Sequence, residues 1–142
     1  MANALYGPGR EGFLKGEIDW DATIKVALVS GYTRSGSHKF VQDVLDNGGT
    51  IVASATLSPK TATNGVADAG DVTFAEVPAG DPIEHLVVFQ ASAVGGGADV
   101  DADEQRLIAS YDTSSGVALP ITPNGGDITI QWDNSGVGLF TL

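Results

Sequence analysis

The residues in this chain that could carry chemistry are few and scattered. There are two histidines, His38 and His85, and no cysteine. A Ser-His-Asp triad requires its members to converge in space, with the histidine oriented by a carboxylate. Neither histidine stands beside a nucleophile motif, and the sequence contains no Gly-x-Ser-x-Gly elbow. Zinc would call for closely spaced histidines, as in His-Glu-x-x-His, and that spacing is absent. His85 lies in an apolar run, alternating with Ile83, Val87 and Phe89, and His38 opens a short helical stretch. Both are expected to be structural.

The carboxylates offer three further candidates. Asp19 and Asp21 flank Trp20, and residues two apart on a strand fall within the roughly 5–10 Å that separates glycosidase carboxyl pairs. Short acidic residues before a strand are also ordinary turn chemistry, and no sugar cleft is signalled. Trp20 and Trp132 are the only tryptophans. Such rings can stack on sugars, but large aromatics more commonly anchor cores and interfaces, and that role is expected of both. The run Asp99-Val-Asp101-Ala-Asp103-Glu104 has the carboxylate spacing that opens an EF-hand loop. Position six should be glycine and is Glu104, and position twelve should be glutamate and is Ser110. The expectation is a solvated acidic loop, with weak Ca²⁺ binding at Asp99–Asp103 left open. Lastly, Gly7-Pro-Gly9-Arg-Glu-Gly12 matches Gly-x-Gly-x-x-Gly, but a dinucleotide fingerprint follows a strand and opens a helix. Only six residues precede it and Pro8 interrupts it, so it reads as a glycine-rich turn or arm. No cofactor is expected.

Hydrophobic periodicity supplies the elements that must position these residues. Residues 1–17 carry Gly7, Gly9, Gly12 and Gly16 between Leu5, Tyr6, Phe13 and Leu14. Glycine at that density weakens a helix, so a short helical turn or an extended apolar arm is expected. Thr23–Val29 alternates as a strand, with Ile24, Val26 and Leu28 on one face. Ser37 is placed to cap a helix over 38–46, closed by Asn47-Gly48-Gly49. Residues 50–58 alternate with Ile51, Ala53, Ala55 and Leu57 on one face. Residues 59–70 read as a loop around Asn64-Gly65, and 92–104 as a flexible acidic loop. Strands are expected over 71–77, 83–91, 105–111, 117–122 and 127–132, with Leu86–Phe89 apolar on both faces and so central. Pro120 marks an edge.

These elements give an all-β fold, an antiparallel sandwich or barrel of about seven strands with one short helix. The Gly-rich arm takes residues 1–17 and a single β domain takes 18–142. At 142 residues a single domain is expected. The two Trp-Asp segments are too few and too distant for a propeller, which repeats its blade motif about every 40 residues.

Charge excludes more. Eighteen acidic residues against seven basic ones leave a net charge of −11. Nucleic-acid affinity rests largely on Lys and Arg displacing counterions, and the densest basic cluster is only Arg34 to Lys39, so no nucleic-acid partner is expected. No apolar run approaches the roughly 18 residues of a membrane span, so no membrane partner is expected, and MANALYGPGR lacks the features of a leader.

Both ends of the chain resemble small structural proteins of tailed-bacteriophage virions. Leu5, Tyr6, Gly9-Arg10-Glu11, Phe13-Leu14 and Ile18-Asp19-Trp20 carry the likeness at the start, and Asn124-Gly125-Gly126 through Phe140 carry it at the close. The resemblance covers the ends well and the middle loosely. It implies a non-enzymatic virion component and transfers no active-site residue. Within a virion, a small, acidic, cysteine-free, sheet-rich protein suits a capsid decoration or cement role, made in the host cytoplasm and bound to the outer capsid surface. Its partners would be the major capsid protein and copies of itself. Leu5, Tyr6, Arg10, Phe13 and Leu14 would supply the contacts, with the arm ordering on binding; alternatively, the same residues cover one end of their own core. A tail-tube or neck component is the nearest competing role, and a carbohydrate- or receptor-binding β module using exposed Trp20 and Trp132 is another. An enzyme, through His38 or His85, ranks third.

Overall fold

A computed structural model describes residues 4–111, 119–132 and 139–142. In chain order the elements are β1 (Ala4–Leu5), α1 (Gly7–Leu14), β2 (Ile24–Ser30), α2 (Val41–Asp46), β3 (Thr50–Thr56), β4 (Lys60–Thr63), β5 (Val66–Ala69), β6 (Val72–Phe74), β7 (His85–Gln90), β8 (Ser92–Ala93), β9 (Gly96–Asp99), β10 (Arg106–Tyr111), β11 (Ile128–Ile130) and β12 (Phe140–Thr141). The fold is all-β, with every strand pair antiparallel. A five-stranded sheet in the order β1-β10-β7-β2-β3 is its spine. Of the two closures expected, the sheet takes the open one, with edges at β1 and β3.

Alternation along β2 and β7 sends side chains to two separate cores, as the period of two in a strand requires. Ile24, Val26, Leu28, Leu86, Val88 and Ile108 fill one face. That face is covered by the small sheets β12-β5-β4 and β11-β6, through residues such as Ala67, Phe74, Ile130 and Phe140. Ala27, Val29, Val87, Phe89 and Leu107 fill the other face, beneath Tyr6, Tyr32 and α2's Val41 and Val44. Burial on both faces is why Leu86–Phe89 reads as continuously apolar.

Several expected elements take a different form. Residues 59–70 are not loop. They make the β4–β5 hairpin, whose Asn64 (φ 53°) and Gly65 (φ 80°) supply the paired positive φ of a type I′ turn. Residues 92–104 include the β8–β9 hairpin, with Lys25 paired to Asp99. The simple alternation expected in β3 breaks at a bulge, where the register jumps from Leu28–Ala53 to Val29–Ile51. Val52 is the extra residue, so Ile51 packs with the α2-side core while Ala53 and Ala55 pack with the other. The helix expected over 38–46 begins later, at Val41, and Ser37 does not cap it. The Asp43 carboxylate does, accepting from the N–H groups of Lys39 (2.8 Å) and Phe40 (2.9 Å). Of the strand expected over 117–122, residues 117 and 118 lie outside the described residues, and 119–122 form no strand, only a single bridge from Ile121 to Ile83.

Candidate functional site

The glycine-rich start is a helix, and it is docked on its own chain. Glycine is needed there for proximity. A Cβ at Gly9 would stand 2.8 Å from the Leu107 carbonyl oxygen and 2.9 Å from that of Ile108, so only glycine lets α1 lie directly on β10. Polar clamps reinforce the contact. Buried Arg106 donates to the Pro8 carbonyl at 2.7 Å and pairs with Glu17 at 3.1 Å. Gly7 N–H donates to the Gly36 carbonyl at 2.9 Å, and the Arg34 guanidinium donates to the Leu5 carbonyl at 3.2 Å.

The five candidate contact residues therefore divide. Tyr6 is fully buried, and Leu5 and Phe13 are half-buried, with the Phe13 ring 5.9 Å from that of Phe140. Arg10 is exposed, and Leu14 is 88% exposed, the most open large hydrophobic among the described residues. The separate arm expected over 1–17 is, from residue 4 onward, packed onto the sheet. The surface it offers reduces to Arg10, Leu14 and the rim of Phe13.

Tyr6 instead begins a polar chain that unites residues far apart in sequence. Its hydroxyl lies 3.0 Å from that of Tyr32, which lies 2.6 Å from His38 Nδ1. Ser35 N–H also approaches Nδ1, at 3.3 Å. Tyr6, Tyr32 and His38 thus form one continuous hydrogen-bonded chain. At the far end Arg34 donates to the Ser110 hydroxyl and lies 4.6 Å from the centre of the Tyr6 ring. Burial pushes both phenols above the ordinary tyrosine range, most strongly Tyr32, so both keep their protons. His85 reaches the same place, its ring edge-on to Tyr32 at 5.4 Å. The two histidines thus converge on one tyrosine, which no sequence spacing signalled. His38 joins the start of the chain to residues 31–40 through this hydrogen-bonded chain, and His85 adds a ring contact.

The other candidates resolve one by one. Asp21 N–H donates to the Asp19 carboxylate at 2.9 Å, the local turn that short acidic residues favour. Trp20 and Trp132 are 8% and 5% exposed, leaving no open face for a sugar. Their indole N–H groups donate to the Thr61 carbonyl (3.0 Å) and the Gly70 carbonyl (3.1 Å), both near the open end of the β4–β5 hairpin, where Lys60 pairs with Ala69. Trp20 meets Phe140 edge-on at 5.4 Å, and Trp132 lies 5.7 Å from Tyr111. Of the acidic run, Asp101, Asp103 and Glu104 bring carboxylate oxygens within 4.8 Å of one another, whereas Asp99 turns to Lys25. All three are exposed, an arrangement common on acidic surfaces. The basic cluster Arg34–Lys39 does not form a patch, because Arg34 points inward to Ser110 and Leu5. No helix among the described residues is long and apolar enough to cross a membrane.

No protein-family model, curated protein or solved structure matches this chain.

Proposed function

We propose that this protein is a non-enzymatic virion structural protein of a tailed phage, and that it decorates the head by binding the outside of the major capsid shell. The observation that carries the reading is the exposure of Leu14, together with Arg10, on α1. A large apolar side chain stands 88% exposed on a helix clamped to the sheet, in an otherwise acidic molecule. A preordered helix loses little entropy on docking, so even a small apolar contact adds affinity. Many copies on one shell then stabilise it through number rather than through individual strength. The likeness of both chain ends to phage virion proteins supplies the identity of the shell. Partners on this reading are the major capsid protein and other copies of this chain, and the protein resides on the capsid surface.

The test is binding of purified protein to undecorated capsids. Leu14→Asp and Arg10→Glu should each weaken binding about tenfold or more, as loss of a central contact does, while leaving the melting temperature unchanged. Unaltered binding by both variants would sink the reading. A tail or neck position is the second reading: ring-forming subunits join sheets edge to edge, and the open β3 supplies one of the two edges required, whereas β1 at the opposite edge is only two residues long. Virion mass spectrometry separates the two: a copy number that follows shell area supports the head, and one ring's worth supports the neck.

A further inference from the structure

We infer that β3 is a self-association edge, pairing antiparallel with β3 of a second copy to join two five-stranded sheets across a two-fold axis. The inference does not rest on the virion reading.

Edge strands carry unpaired backbone donors and acceptors, and soluble proteins guard them with lysine, proline, short length or a covering segment. β3 has none of these guards among the described residues. It is seven residues long, TIVASAT, without charge or proline. Its backbone groups bond only to β2; residues 50–56 form no other backbone hydrogen bond among the described residues. The direction of the free groups follows from register. Leu57 N–H donates to the Ile24 carbonyl at 2.8 Å, and bonded and non-bonded pairs alternate along an antiparallel ladder. Ala55 opposite Val26 and Ala53 opposite Leu28 therefore bond inward, and the N–H and C=O groups of Ser54 and Thr56 point away from β2. Both side chains are exposed.

The other edges differ. β4 carries Lys60, and β1, at the far side of the main sheet, contributes two residues. No described strand at that far side is long enough to receive β3, so a head-to-tail ring lacks its second surface. Self-pairing needs only β3. Charge selects the same occupant. A net charge of −11 opposes contact between copies over most of the surface, but no charged residue lies between Asp46 and Lys60. Antiparallel strands also set the acidic end of this run toward the basic end of its neighbour.

The full chain should sediment as two copies at high concentration and dissociate to one on dilution. The Ser54 and Thr56 amides should be protected from exchange in the paired form and lose protection on dilution. A Ser54→Lys/Thr56→Lys variant should raise the dissociation constant by about tenfold or more, because like charges would face each other across the new ladder. Ser54→Pro, which removes a donor that β2 does not use, should do the same. Circular dichroism of each variant establishes that it is folded. A single-copy mass at every concentration, with both amides exchanging freely, would overturn the proposal. So would pairing that survives in the folded lysine variant. A mass well above two copies would overturn it as well and would favour a ring. None of these outcomes bears on capsid binding through Leu14.

Discussion

At the scale of single residues, Asp43 shows how a local hydrogen bond becomes a pH dependence. Burial alone would raise its carboxyl pKa, but the N–H groups of Phe40 and Lys39 and the nearby His38 outweigh that, and the net shift is downward. A carboxylate held below its unfolded value adds stability that is present above the unfolded pKa. That stability is lost as pH falls through the folded pKa, here below about pH 4. Asp43→Ala should cost about 0.5–2 kcal/mol near neutral pH, the usual worth of a helix-start cap. The variant should also show a shallower loss of stability on acidification than the parent. Denaturant unfolding from pH 7 to pH 2 measures both. An equally steep acid limb in Asp43→Ala would show that other carboxylates carry it. The cap was only half legible in the sequence. Ser37 has the right chemistry and spacing for a helix at 38, but Gly36 to Lys39 are used to bring His38 to Tyr32, so the helix starts later. The Tyr6–Tyr32–His38 chain was not legible at all, because its members are joined by β-sheet geometry and not by spacing.

At the scale of elements, what could be read and what could not divide along one physical line. Strands with buried faces announce themselves by alternation or by a continuous apolar run, and β6, β7, β10 and β11 fall inside the runs expected, with β2 passing its expected end by one residue, Ser30. The β4–β5 hairpin hides because β4 and the turn are largely exposed and β5 is only four residues long, so neither strand shows a clear apolar period; Asn64-Gly65 was its one signal. The β3 bulge hides because alternation cannot register an inserted residue. The helix α1 was legible only as one of two alternatives, a short helical turn or an extended arm, because the low propensity of its glycines argues against the very element they allow to pack. Gly9 tests this account. Alanine is the better helix former by about 1 kcal/mol, so propensity alone predicts that Gly9→Ala stabilises. The carbonyl oxygens of Leu107 and Ile108 would lie under 3 Å from the new methyl, and both are backbone atoms of a central ladder that cannot yield. Overpacking of this kind costs about 1–3 kcal/mol, so the substitution should destabilise. It should also speed amide exchange across residues 6–14 before it affects β2 or β7. Stabilisation by alanine would mean that α1 is not held against the sheet.

At the scale of the whole molecule, the two tryptophans tie the start and the end of the chain to one hairpin. Trp20 holds β4 through the Thr61 carbonyl, Trp132 holds the residue after β5 through the Gly70 carbonyl, and β12 pairs with β5 at Phe140–Ala67. Phe140 closes the arrangement by packing on both Trp20 and Phe13, so α1, the β4–β5 hairpin and the last strand share one core with β2 and β7. A chain built this way has no natural seam at residue 17. Its small covering sheets are too short to persist alone, since two or three strands without a packed face are marginal in water. Unfolding should therefore be a single transition. Single-tryptophan variants, Trp20→Phe and Trp132→Phe, separate the reporters. In each variant the emission of the remaining indole should shift at the same denaturant concentration as the far-ultraviolet dichroism. Each loses one indole-to-carbonyl bond, so each should also be less stable than the parent by about 1 kcal/mol. If Trp132 in Trp20→Phe reports a transition well before the dichroism does, the β11-β6 and β12-β5-β4 sheets come away as a unit. The face of the main sheet lined by Val26, Leu28, Leu86 and Val88 would then be exposed in an intermediate that still keeps its α2 side closed.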